Sequence, residues 1–187
     1  ALGKSRTARK VPKTFRFIVQ RLREYLVAYT NRVEQQAVTT ALHGLVTDGT
    51  CEDVGLYSTL SSFAFTTKME NWKSQEVSNL CWCLAKTDMF CPSMVDIIIE
   101  QVVPVLEFPN TQSWYDNASK YHSREISAVC WSMARGVPGY REEVGKFFRR
   151  VSSVIKRDLK DHLAGWTDLD TCNFIWAFAE IGVRDRD

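Results

Sequence analysis

A thirteen-residue pattern centred on an aromatic ring recurs along the chain, and it constrains the fold more than any other feature. Ser123-Arg-Glu-Ile-Ser-Ala-Val-Cys-Trp-Ser-Met-Ala-Arg135 is matched position for position by Ser74-Gln-Glu-Val-Ser-Asn-Leu-Cys-Trp-Cys-Leu-Ala-Lys86. Asp168-Leu-Asp-Thr-Cys-Asn-Phe-Ile-Trp-Ala-Phe-Ala-Glu180 matches again, and a weaker copy, Gln35 to Thr47, puts His43 in the tryptophan's place. The central residues His43, Trp82, Trp131 and Trp176 are 39, 49 and 45 residues apart. Self-similarity at such a period is the mark of stacked helical repeats, in which no unit can bury its own apolar face and each shelters its neighbour.

The residue types inside the pattern agree. Counting from the central residue as zero, positions −5, −2, −1, +2 and +3 are mostly apolar: Val77, Leu80, Cys81, Leu84 and Ala85, then Ile126, Val129, Cys130, Met133 and Ala134. That i, i+3, i+4, i+7, i+8 spacing is the core stripe of a helix. Position −4 is small in every copy (Thr39, Ser78, Ser127, Cys172), which fits close stacking beside a large indole. The tryptophans are read as packing residues, with base stacking the minority reading. Ser74 with Glu76, Ser123 with Glu125, and Asp168 with Asp170 read as helix starts, a capping group followed by an acid at the positive end of the helix dipole.

The expected architecture is all-α: an α-solenoid of helix pairs behind an extended basic arm. Residues 1–12 form the arm and 13–187 the array, with an initial helix over 13–30. Repeats follow near 33–66, 74–106 and 123–163, and a partial one starts at 168. The first repeat turns at 48–50, the second helix of the next starts near Pro92, and the long connection over 107–121 stretches the 49-residue step. In the initial helix Phe17, Ile18, Leu22, Tyr25, Leu26 and Tyr29 fall on one side. The last face of such an array needs cover, from further chain or from a neighbouring molecule.

Charge is distributed unevenly. Residues 1–32 hold nine Lys and Arg against Glu24 alone, leaving 15 against 21 acids in the remainder. The basic start has three readings: organellar-targeting composition, an arm lying on phosphate, or a solvated tail. Lys4, Arg6, Arg9 and Lys10 lie on the arm, and Lys13, Arg16 and Arg23 with Gln20 make a stripe along the initial helix. Lys146, Arg150, Arg157 and Lys160 with Ser153 make a second stripe at i, i+4, i+7, i+11, i+14. These cations are the candidate phosphate contacts.

A third candidate surface runs along the repeated helices at positions −7, −3, +1 and +4. It carries Gln36, Thr40, Gly44 and Thr47, then Gln75, Asn79, Cys83 and Lys86. The later copies supply Arg124, Ala128, Ser132 and Arg135, then Leu169, Asn173, Ala177 and Glu180. Amides can pair with base edges and the cations can neutralise phosphate, so Gln75, Asn79, Lys86, Arg124, Ser132, Arg135 and Asn173 are candidates to hold RNA or a protein strand. A solvated helix face is the competing reading, and Leu169 and Glu180 weaken the fourth copy.

Other classes lack support. No run of 18 apolar residues exists, so a membrane span is not expected. Of the six cysteines, Cys81 and Cys130 share a place that Ile175 takes in the fourth copy, the pattern of small buried hydrophobes rather than of a disulfide framework. Cys81 and Cys83, two apart on a helix, point roughly 200° from one another, so zinc is not expected. His43, His122 and His162 have no nucleophile pattern near them, and no phosphate-binding loop or metal-protease motif is present, so neither catalysis, a cofactor nor a small-molecule substrate is expected.

Leu80-Cys-Trp-Cys-Leu-Ala-Lys-Thr87, Cys130-Trp-Ser-Met-Ala-Arg-Gly-Val137 and Asn173-Phe-Ile-Trp-Ala-Phe-Ala-Glu-Ile-Gly-Val183 resemble the helical repeats of the octotricopeptide and RAP-domain-associated proteins. The similarity covers roughly residues 33–187. It implies an α-solenoid that binds RNA in a mitochondrion rather than a plastid, either in transcript maturation or as an added protein of the mitochondrial ribosome. The uneven steps argue against a base-by-base code, and no RAP module is visible to suggest nuclease chemistry. The resulting expectation is a non-catalytic accessory protein contacting rRNA among neighbouring proteins of a large assembly. The alternative is a protein-binding accessory subunit of a respiratory-type complex that does not touch RNA, favoured by the acidic balance of the repeat region.

Overall fold

A computed structural model describes residues 13–28, 34–47, 54–67, 69, 72–91, 93–107, 121–137, 141–162 and 166–183. All of the regular structure among them is helical: α1 (Lys13–Ala28), α2 (Gln35–Thr47), α3 (Val54–Thr67), α4 (Ser74–Lys86), α5 (Ser93–Glu107), α6 (Ser123–Gly136), α7 (Arg141–His162) and α8 (Asp168–Ile181). The all-α expectation holds, and each copy of the repeated pattern coincides with a helix: α2, α4, α6 and α8. The arm, the turn at 48–50 and the connection over 108–120 lie outside the described residues. None of the described helices is long and apolar enough to cross a membrane.

The pattern helices pack in order, α2 on α4, α4 on α6 and α6 on α8. The intervening helices do the same, α1 on α3, α3 on α5 and α5 on α7, so the chain alternates between two adjacent files. The core between them holds the residues that the apolar periodicity selects: Val77, Leu80, Cys81, Leu84 and Ala85 from α4, and Ile126, Val129, Cys130, Met133 and Ala134 from α6, all buried. The opposite file contributes Leu60, Phe63, Ile98, Val102, Val144, Phe148 and Val151.

Small residues at −4 set the approach of neighbouring helices. Thr39, Ser78 and Ser127 are buried, and each hydroxyl donates to a carbonyl of its own helix: Thr39 to Gln35, Ser78 to Gln75, Ser127 to Arg124. A buried hydroxyl satisfied in this way leaves no orphaned polar group while keeping the side chain short.

Helix ends differ from expectation by one residue. The capping positions are Lys73, His122 and Thr167, with Ser74, Ser123 and Asp168 as the first helical residues. Consequently Glu76, Glu125 and Asp170 occupy the third position, where each carboxylate accepts the capping residue's backbone N–H, at 2.8, 3.1 and 3.2 Å. Only Thr167 completes the reciprocal bond, its Oγ1 accepting from the Asp170 N–H at 3.2 Å. At the other end of α4, Asp88 adopts a left-handed conformation (φ 57°) and the Met89 N–H reaches back to the Leu84 carbonyl. This closes the last turn in the Schellman manner. Phe90 then packs onto α6 at Gly136, where a Cβ would come within 2.6 Å of the ring's own Cβ.

Helix α1 corrects a second expectation. Its buried face is Val19 and Leu26, flanked by half-buried Leu22, whereas Phe17 and Tyr25 are 61% and 47% exposed and Ile18 is exposed as well. A helix with apolar residues on more than one side gives two possible stripes, and the i, i+3, i+7 row through Val19 is the one that meets α3.

Burial accounts for the cysteines. Cys81, Cys83 and Cys130 are enclosed, and desolvation pushes all three thiols well above their usual range. Unfolded thiols ionise near pH ~8.5. Their folded-state pKa values are raised, so the stability they contribute is fully present below that pH and is lost progressively as pH rises above it. The denaturant midpoint is therefore expected to be flat from neutral pH to about 8 and to fall toward pH 10. Site-resolved alkylation should modify exposed Cys172 in the native protein and Cys81, Cys83 and Cys130 only after unfolding.

Candidate RNA-binding groove

The file α2, α4, α6, α8 carries a groove of about 570 Å³ along its outer side. It is lined by the polar residues Thr40, Gln75, Asn79, Lys86, Arg124 and Asn173 together with the rings of His43, Trp82 and Trp131. Gln75, Asn79, Lys86, Arg124 and Asn173 were candidates from sequence, and the structure brings them together.

Position +1 does not belong to this surface. Ser132 is 0% exposed, and its hydroxyl donates to the Ala128 carbonyl at 2.6 Å. Cys83 and Ala177 at the same position are also buried. The groove follows −7, −3, 0 and +4, and the central rings take the place assigned to +1. The two stripes differ by one residue, a rotation of about 100° around the helix. The composition held the clue: Cys, Ser and Ala at +1 are small residues suited to a helix contact, whereas zero is aromatic in every copy.

The rings form a row. His43 and Trp82 have centroids 4.8 Å apart, tilted by 33°. Trp131 and Trp176 are 6.1 Å apart, tilted by 37°. Lys86 bridges the two pairs, with Nζ 5.8 Å from the Trp82 centroid and 5.3 Å from that of Trp131. Arg135 lies over Trp131 at 5.8 Å and also meets Asp88 across 3.6 Å. The face of an indole attracts a cation through its quadrupole, so these contacts hold the ammonium and guanidinium at the groove. Trp82 and Trp131 thus pack against the core as expected and stay half-buried, whereas Trp176 is 40% exposed.

Two carboxylates, Glu125 and Asp170, also line the groove. Both accept backbone amides of helix starts, and Asp170 accepts the Thr167 and Ser127 hydroxyls at 2.8 and 3.4 Å. These two carboxylates therefore sit beside the Lys86 and Arg124 cations in the same groove, while Arg135 lies over Trp131 and pairs with Asp88.

The other cations lie elsewhere. Arg23 sits across Gly55 of α3, where a Cβ would come within 2.7 Å of its Cζ. Lys146 is exposed and pairs with Glu142 at 3.1 Å. Lys146 and Arg150, with Arg149 and Ser153, line a second groove of about 630 Å³ between α5 and α7, apart from the first. Lys4, Arg6, Arg9 and Lys10, and the side chains of Lys13, Arg16, Arg157 and Lys160, lie outside the described residues.

No family model matches the chain, and neither a curated protein nor a solved structure matches it.

Asp170 ties the groove to the stacking of α8 on α6. Asp170→Ala is expected to remove the acceptor for Thr167 N–H and cost about 1 kcal/mol locally. Amide exchange over 168–172 should then quicken by about fivefold, while α4 is unaffected.

Proposed function

We propose that the chain is a non-catalytic helical-repeat protein of α-solenoid type that binds RNA in a mitochondrion, most concretely as an accessory protein of the mitochondrial ribosome contacting rRNA. The order of packing within the two files supports the solenoid. The observation that carries the RNA reading is the row of rings in a groove where amides and cations converge. Bases can stack on or against the exposed parts of Trp82, Trp131 and Trp176 without regard to sequence, since every base has a π-face. The amides of Gln75, Asn79 and Asn173 suit the edges of unpaired bases, and Lys86, Arg124 and Arg135 suit phosphate. The mitochondrial setting and the ribosomal assembly rest on the resemblance of the repeats and on the basic start of the chain. The reading assigns no catalytic step.

The test is binding of a fluorescein-labelled single-stranded RNA of about 12 nucleotides, within the span of known stacking platforms. Affinity should fall steeply with salt. Neutralising Lys86, Arg124 and Arg135 to Gln should make the log–log slope shallower by about 2, at roughly 0.7 for each single-strand phosphate released. Trp131→Ala should cost about 1–3 kcal/mol of binding. An unchanged slope in the triple variant, or no binding at low salt, overturns the proposal. An unmodified peptide that competes for the same groove would instead favour the accessory-subunit reading.

A further inference from the structure

A carboxylate repels phosphate, and the two that line the aromatic groove are placed differently. Asp170 is buried, and both of its oxygens accept hydrogen bonds, Oδ1 from the Ser127 hydroxyl and Oδ2 from the Thr167 N–H and hydroxyl. Glu125 is half-buried. Its Oε2 accepts the His122 N–H at 3.1 Å, and among the described residues no donor meets its Oε1. Arg124, the preceding residue of the same helix, is exposed and lines the groove with it. An acceptor with spare capacity and a fork of donors therefore stand side by side at the start of α6.

The same step of the array has room for a flat ring. Position −3 carries Thr40, Asn79 and Asn173 on α2, α4 and α8, but on α6 it carries Ala128, the smallest residue of the lining. Three residues further along the two helices, the Lys86 ammonium lies over both Trp82 and Trp131, 5.8 and 5.3 Å from their centroids. Indoles that attract a cation also suit a base, which brings a π-face of its own.

We infer that the step from α4 to α6 is a subsite for one guanine base of a single-stranded segment. This rests on the RNA reading of the groove and adds a preference to it. Guanine is the base whose pairing edge sets two adjacent donors, N1–H and the N2 amino group, beside one acceptor, O6. Glu125 accepts from the donors, Arg124 donates to O6, the ring lies against the indoles over Ala128, and Lys86 meets the adjoining phosphate. Adenine and cytosine offer one amino group next to a ring acceptor, and uracil a single N–H between two carbonyls. Each of these sets an acceptor where guanine sets its second donor, and an acceptor facing a carboxylate leaves both unpaired. A site built around a hydrogen bond rejects the analogue that lacks it. One selective position is compatible with the uneven repeat steps, which do not support a base-by-base code.

The probes are fluorescein-labelled uridine RNAs of about 12 nucleotides whose central residue is G, A, C, U or inosine, titrated against the full chain by fluorescence anisotropy. The G strand should bind about tenfold more tightly than the A, C and U strands. Inosine lacks the N2 amino group and should lose most of that advantage. Glu125→Gln keeps an acceptor for the His122 N–H, and with it the helix start, yet should erase the preference. Ala128→Leu, at a half-buried position, fills the space and should erase it too. Equal binding of the G and U strands overturns the inference and leaves the RNA reading standing, whereas no binding of any strand at low salt overturns both. A preference that survives Glu125→Gln overturns the assignment of the reading residue. Free GMP competing as tightly as the G strand overturns the assignment to a strand and gives the subsite to a nucleotide.

Discussion

Close contact between successive pattern helices is the interaction on which the remaining features depend. It needs small residues at two places, −4 looking forward and +1 looking back, and the chain supplies Thr39, Ser78 and Ser127 at the first and Cys83, Ser132 and Ala177 at the second, all buried. A large residue at either place would separate the helices, and apolar area would return to water at about 25 cal/mol per Å². Polar members of the set are tolerated because their hydroxyls bond backbone carbonyls of their own helices, so closeness is achieved without an unpaired group. The acids at the third helical position complete the arrangement. They fasten each helix start, and at Asp170 the same carboxylate accepts a hydroxyl from the helix beneath.

The groove is a consequence of that stacking. Helices with one recurring sequence, laid side by side, must align equivalent residues, so a ring at position zero becomes a row of rings and a cation at +4 becomes a repeated charge. Lys86 shows how the row differs from a solvated face. Held between two indoles, its ammonium is placed by cation–π attraction rather than left to wander, which lowers the entropic cost of meeting an anion. The second groove, between α5 and α7, has basic residues without such a row, and its cations lie beside Asp96 and Glu143.

The all-α class, the helix order and the core of α4 and α6 were legible in sequence because repetition multiplies a weak signal: one apolar stripe is ambiguous, two in register are not. Where repetition was lacking the reading slipped. Helix α1 has no copy to compare, and its apolar residues permit two faces, of which Val19–Leu26 is the buried one and Phe17–Tyr25 the exposed one. Ser132 falls at +1, which continues the −7, −3 and +4 row at helical spacing, although smallness in every copy was the better guide. The caps moved by one residue because an acid at the third position bonds the capping amide whatever the side chain there, so Lys73 and His122 serve where Ser74 and Ser123 were expected.

The most direct test of the claim that this row of rings and cations is the binding surface is photo-crosslinking of the intact chain to a 4-thiouridine RNA, with the adducts located by mass spectrometry. Adducts on the α4 and α6 segments that contain Trp82, Trp131 and their neighbouring cations are the predicted result. Adducts confined to α7 and the α5–α7 groove, with none on α4 or α6, would contradict it.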